Sequence, residues 1–167
     1  MVRDEVFHFI RLGTFLERAD NTARLLDVKS LTAENMLEQG HDSVDDFYYW
    51  AAILRSVSAF EIYRKVYRDV ITPERVADLL ILRSDMPRSL SACVGEVVDL
   101  LGKIKNSQSS KTITQARNLL AQLSDAHIGE ILEQGLHAFL TDFLVRINGV
   151  GSGISRDFLL PMEEMAA

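Results

Sequence analysis

The sequence predicts an all-α protein, an antiparallel bundle of about six helices with short connections. Breakers are scarce: 9 Gly and 3 Pro in 167 residues, against 47% hydrophobic residues, a composition poor in turn-formers. Apolar residues recur at three- and four-residue steps, the period of an amphipathic helix, and seldom alternate as they would in a half-buried strand. The polar stretches between these stripes are short, and short connections make neighbouring helices antiparallel.

The first helix is expected from about Arg3 to Val28, with Phe9, Leu12, Phe15, Leu16, Ala19, Ala23 and Leu26 on one stripe. Residues 29–42, which include "QGHD", then read as a connection with room for a short helix. A long second helix is expected from Asp42 or Ser43 to about Arg68. Ser43 followed by Asp46 resembles a capping box. The density of aromatic residues around it (Tyr48, Tyr49, Trp50, Tyr63, Tyr67) makes this helix the expected centre of the bundle. Thr72 as N-cap and Pro73 at the first helical position open a third helix that ends near Arg83. Pro87 is expected to begin a fourth, with Leu90, Cys93, Val94, Val97, Leu101 and Ile104 facing inward. After the polar "NSQSSK" (106–111), a fifth helix carries Ile113, Ala116, Leu120 and Leu123. A sixth runs from about Ala126 to Asn148, with Ile128, Leu132, Leu136, Phe139 and Phe143 inward, and is weakened by "NGVGSG".

Bulk properties bound the function. A chain of 167 residues fits a single domain, 1–167, able to bury a core without staples. A net charge of −6 and a pI near 5.2 speak against a nucleic-acid partner and against anionic membrane surfaces. The single cysteine, Cys93, cannot form an internal disulfide, and no signal peptide or apolar span is visible, so a cytoplasmic protein is expected. Cys93 lies on a core stripe and reads as inert packing.

Several charges need explaining. Glu17 and Arg18 are adjacent, and neighbouring helical residues point about 100° apart, so they cannot pair on one face. Glu17 shares a face with Gly13, Asp20 and Arg24, and Arg18 shares another with Arg11 and Leu25. Asp20 and Arg24 form a favourable i,i+4 pair. Gly13 is costly inside a helix, which a close approach of another helix would offset. Glu61 falls within the apolar stripe expected around Trp50, so it needs a partner such as Arg64 or a place in a polar pocket. Glu5-x-x-His8 and Glu38-x-x-His41 have a spacing known from di-metal bundles, and Glu130, Glu133 and His137 align on a helical wheel. The second pair falls in a Gly-containing connection and the triplet lies mostly off the apolar stripe, so neither a metal nor a cofactor is expected. Gly149, Gly151 and Gly153 follow no strand and do not make a phosphate loop.

"FIRLGTFLERADNTARLLDV" (9–28) resembles the signature helix of the bacterial alpha-E family, a helical domain with a Glu-Arg motif. "YYWAAILRSVSAFEIYRKVY" (48–67) resembles its Trp-containing helix, "LLILRSDMPRSLSACV" (79–94) its Pro-Arg-Ser turn, and "GLHAF" (135–139) its last long helix. Members of the family are usually about twice as long, so this chain is expected to correspond to the second half, exposing apolar surface and forming a homo-oligomer. The resemblance implies Glu17 and Arg18 as the motif pair, with Arg24, Trp50, Arg55, Glu61, Tyr63, Arg64, Pro87, Arg88 and Ser89 as polar-network and motif candidates. Arg88, expected in the first turn of a helix, calls for a nearby acid such as Glu17 or Glu61.

Genes of the family sit beside those for ATP-grasp ligases and transglutaminase-like proteases, which implies a part in peptide synthesis or peptide tagging. An accessory or interaction domain of such a system is therefore expected, with an ATP-grasp ligase or transglutaminase-like protein as partner. One alternative is an enzyme acting on peptides or amides, with Glu17 or Glu61 as general base and Arg18 or Arg88 binding a carboxylate or phosphate. A metal-binding helical bundle is the other.

Overall fold

A computed structural model describes the backbone of residues 4–38 and 43–159, and their side chains except at 30, 32–38 and 43. The described chain is all-α, without a strand. Its helices are α1 (Glu5–Glu38), α2 (Ser43–Ser56), α3 (Phe60–Tyr67), α4 (Pro73–Ile81), α5 (Leu90–Ile104), α6 (Ser110–Asp125), α7 (Ile128–Gln134) and α8 (Leu136–Ile154), closed by a π-helical turn at Ser155–Leu159. Among the described residues no helix is long and apolar enough to cross a membrane.

The central element is α1, not the aromatic-rich second helix. It packs chiefly against α5 and α8, while α6 closes the bundle against both. Leu12, Phe15, Ala19, Ala23 and Leu26 of α1 share one buried core with Cys93, Val94, Val97 and Leu101 of α5 and Leu140, Phe143 and Ile147 of α8. The small residues Ala19 and Ala23 let the axes of neighbouring helices approach, which is why α1 can be the hub. The helix also continues past Val28 to Glu38, so most of the expected connection is helical. The side chain of Ser43, His41 and the Glu38–His41 spacing lie outside the described residues.

Two expected helices are broken. The long second helix stops at Ser56 and restarts at Phe60. Ser58 adopts a left-handed conformation (φ 57°); its N–H donates to the Arg55 carbonyl and that of Ala59 to the Leu54 carbonyl, at 3.1 and 2.7 Å. That pair of bonds is a Schellman termination, usually made with glycine. Serine hides it from the sequence. The rotation carries Glu61 out of the apolar stripe. Its side chain is exposed, 3.9 Å from an equally exposed Arg64, and such a pair contributes little. The expected sixth helix divides at Gly135, whose φ of 106° is available to glycine and strained for other residues. Beyond it, α8 runs through "NGVGSG" to Ile154.

Helix starts are closer to expectation. Thr72 caps α4 by accepting from the Arg75 N–H at 3.3 Å, with Pro73 at the first helical position. α5 starts later than expected. Ser89, not a residue before Pro87, is its N-cap, accepting from the Ala92 N–H at 3.0 Å while donating to the Arg83 carbonyl at 2.6 Å. Arg88 therefore sits just ahead of the helix, not in its first turn.

Gly13 meets no other helix: a Cβ built there has open space within 4 Å. Its helical cost is thus not offset, and Gly13→Ala is expected to stabilise the domain by about 0.5–1 kcal/mol. A rise in the urea midpoint checks this; an unchanged or lower midpoint contradicts it.

Candidate functional site

Successive positions on α1 send Glu17 and Arg18 to either side of one ridge. Both line an open cleft of about 500 Å³ between α1, the end of α2 and Arg88. From there they diverge. Glu17 also borders a depression of about 290 Å³ shared with Asp20, Arg24 and Ile147 of α8. Arg18 also borders a second cleft of about 500 Å³, lined by Phe15, Pro87, Gly95 and Leu120 together with the acidic residues Asp85 and Glu96. Its guanidinium lies over the Phe15 ring, 5.3 Å from the centroid.

Arg88 reaches the cleft through its backbone. The buried Thr22 hydroxyl donates to the Arg88 carbonyl at 3.0 Å, and the Ser89 cap fixes the next residue. Among the described residues no ion pair joins Arg18 or Arg88 to a carboxylate; Glu17 shares their cleft without pairing, and Glu61 lies elsewhere. The hydroxyls around the cleft are committed to main-chain carbonyls: Thr14 to Ile10 at 2.9 Å, Ser56 to Ile53 at 2.7 Å, and Thr22 to Arg88. A hydroxyl donating to a carbonyl is not activated by a base. The cleft therefore offers a cation and a carboxylate for recognition, without a prepared nucleophile.

The cleft gathers Glu17, Arg18 and Arg88, and leaves the other candidates apart. Arg24 is held by Asp20 through two hydrogen bonds of 2.7 and 3.2 Å. Trp50 is buried in the core. Arg55 is exposed and stacks on Phe60 at 4.4 Å, bracing the α2–α3 bend. Tyr63 is fully buried, and its hydroxyl donates to the Val70 carbonyl at 2.8 Å and accepts from the Thr72 N–H at 3.2 Å. Sequence reasoning missed Thr14, Asn21, Thr22 and Ser56. The first three lie three or four residues from Arg18 along α1, so the spacing held a signal; the arrival of Ser56 depends on the Schellman turn.

The histidine patterns come apart. Gly135 separates Glu130 and Glu133 from His137, whose Nδ1 lies 2.5 Å from Asp27 on α1. His8 Nδ1 is buried without a partner among the described residues. There, no three His, Cys, Asp or Glu side chains gather as a metal site would require.

A family model described as a predicted alpha-helical domain with a conserved ER motif matches residues 1–159. The chain belongs to this Alpha-E family. Comparison with curated proteins and with solved structures returns no match. An Alpha-E domain in this chain has two Glu-Arg dipeptides, 17–18 and 74–75, and their settings differ. Arg75 is tied to Asp69 at 2.7 Å and to the Val70 carbonyl at 3.4 Å, which braces the α3–α4 turn. Arg18 has no such structural commitment and faces two clefts.

Cys93 lies behind this site, fully buried on α5, its Sγ 3.7 Å from the Pro87 carbonyl. Burial pushes the thiol up from 9.0 to about 11, although the Arg18 and Arg88 cations oppose the shift. A raised native pKa means the native state keeps its proton longer than the unfolded chain. The associated stability is complete below about pH 9 and is lost as pH rises towards about 11. Urea unfolding over that range is expected to show a shallower decline for Cys93→Ala than for the parent. Parallel declines would contradict the assignment.

Proposed function

We propose that this Alpha-E domain is an accessory or interaction component of an ATP-grasp- or transglutaminase-linked peptide synthesis or tagging system, and that the Glu17–Arg18–Arg88 cleft is its recognition surface. The observation that carries the reading is the make-up of that cleft: an open concavity with Arg18, which has no carboxylate partner among the described residues, the Glu17 side chain, the Arg88 backbone, and hydroxyls all bound to main-chain carbonyls. Such a surface is equipped to recognise and orient, since planar guanidinium groups bind carboxylates and phosphates bidentately. The exposed side chains of Val44, Phe47 and Tyr48 on α2 add apolar surface suited to protein contact, including self-association.

Co-purification of the chain with an ATP-grasp ligase or transglutaminase-like protein encoded beside it tests this directly. Complex formation is expected with the parent and loss of the complex with Glu17→Ala and with Arg18→Ala, both folding normally. Arg75→Ala, in the other Glu-Arg dipeptide, is expected to keep the complex. Unchanged assembly in the Glu17 and Arg18 variants, or no assembly with either partner class, sinks the proposal.

A further inference from the structure

The outward face of α1 carries a pattern of its own. Val6, Ile10, Glu17, Arg24, Val28 and Leu31 fall within an arc of about 80° at about 100° of turn per residue, on the side of the helix away from the buried stripe of Leu12, Ala19 and Leu26. Its large apolar side chains are open to solvent: Val6 is 64% exposed, Ile10 56%, Val28 61% and Leu31 39%. So α1 has a core face and a second face, apolar at both ends, that no described element covers. Apolar residues scattered singly over a surface need no explanation, but a stripe along about 32 Å of one helix does.

The charges of the stripe are placed symmetrically within it. Ile10, Glu17, Arg24 and Leu31 recur at intervals of seven, the spacing that keeps two helices in contact along their length. Ile10 and Leu31 stand equally far from a midpoint between Asp20 and Asn21, and Glu17 and Arg24 stand equally far from the same midpoint. A second α1 laid antiparallel with its two-fold axis at that midpoint sets Ile10 against the partner's Leu31 and Glu17 against the partner's Arg24. The symmetry makes each contact twice. A parallel copy would instead set acid against acid and base against base, which is repulsive. Asp20 leaves Arg24 able to take part. It accepts from Nε and Nη2, which fixes the guanidinium and leaves Nη1 for an incoming carboxylate.

We propose that two copies of this chain associate through the outward face of α1, antiparallel about a two-fold axis near Asn21. The inference goes beyond the recognition reading above and does not rest on it. Glu17 belongs to both the seam and the cleft, whereas the side chains of Ile10 and Leu31 belong to the seam alone. Arg18, turned about 100° from Glu17, stays on the cleft side.

Sedimentation velocity of the purified chain, at concentrations up to about 100 µM, tests this and is expected to show a concentration-dependent dimer. Ile10→Glu and Leu31→Glu are each expected to weaken the dimer by about tenfold or more, because each places a charge in the seam twice. Glu17→Arg alone and Arg24→Glu alone are expected to weaken it comparably, since each creates two like-charge contacts. Mixing these last two variants in equal amounts is expected to restore a dimer, because each offers the charge the other lacks. Circular dichroism checks the fold of every variant; all four side chains are exposed in the single chain, so folding is expected to survive. A chain that stays monomeric throughout overturns the proposal and leaves the stripe to a different protein. A dimer untouched by Ile10→Glu and Leu31→Glu, but lost with Tyr48→Glu, overturns it in favour of the α2 surface. No recovery in the mixture overturns it too, because the antiparallel arrangement requires that recovery. The chain is measured here without a second protein, so the result is separate from success or failure of the partner complex.

Discussion

Tyr63→Ala is expected to destabilise the domain by about 3–5 kcal/mol, the cost of deleting a fully buried aromatic side chain. The ring is completely enclosed and packs on Tyr67 with centroids 4.7 Å apart. Its hydroxyl has a separate role. It bridges the Val70 carbonyl and the Thr72 N–H, fixing the segment that ends at the N-cap of α4. Tyr63→Phe isolates that role, since it keeps the ring and strands the Thr72 donor, at about 1–3 kcal/mol. Arg75→Ala, on the exposed side of the same turn, should cost less than about 1 kcal/mol because its pair with Asp69 is solvated. Urea unfolding followed by circular dichroism orders the three variants. A Tyr63→Phe protein as stable as the parent would show that the hydroxyl bridge contributes nothing.

The second large effect lies where α8 crosses α6. Gly153 is buried, and a Cβ added to it would collide with the hydroxyl and methyl of the fully buried Thr112. The Thr112 side chain cannot easily yield, because its hydroxyl donates to Asp157 Oδ2 at 2.5 Å. Asp157 is held in turn by Arg156 Nε at 3.0 Å, and its carbonyl accepts from the Asn106 side chain at 3.0 Å. Gly153→Ala must spread the helices or break that hydrogen bond, at about 1–3 kcal/mol. Thr112→Ala alone loses the bond to Asp157 but makes room for the methyl. The double variant should therefore be more stable than the sum of the single losses predicts. Strict additivity, or a neutral Gly153→Ala, would refute the close approach. The contrast with Gly13→Ala is informative: one glycine is required by a neighbour, the other is not.

Neither glycine announces its role in the sequence. Gly153 lies in the glycine-rich stretch expected to weaken the last helix, and Gly13, inside a helical pattern, is the one expected to mark a close approach. A glycine's reason depends on what comes near it, which helical spacing does not encode. The same holds for the bend at Ser58. The break at Gly135 falls inside the single sixth helix expected from the sequence although glycine makes it, and at Ser58 a serine takes the left-handed position that glycine usually fills. That one turn removed Glu61 and Arg64 from the interior and brought Ser56 to the cleft. By contrast, the Thr72–Pro73 start is a local hydrogen-bonding arrangement, and it stands where residue types alone place it.

For the candidate site, adjacency on α1 already implied that Glu17 and Arg18 address different neighbours. What each one faces depends on the elements beside it.

The sequence by itself determined the all-α class, the inward stripes of α1 and α5, the cap of α4 and membership of the Alpha-E family. These follow from periodicity, local hydrogen bonding and residue identity, all properties of contiguous chain. Only the tertiary structure decided that α1 is the hub, that Arg88 arrives beside Arg18 on the Thr22 hydrogen bond, and that Trp50, Arg55 and Tyr63 stand apart from them. Those are contacts between residues distant in the chain, set by which packed arrangement buries the most apolar surface while satisfying the polar groups it encloses.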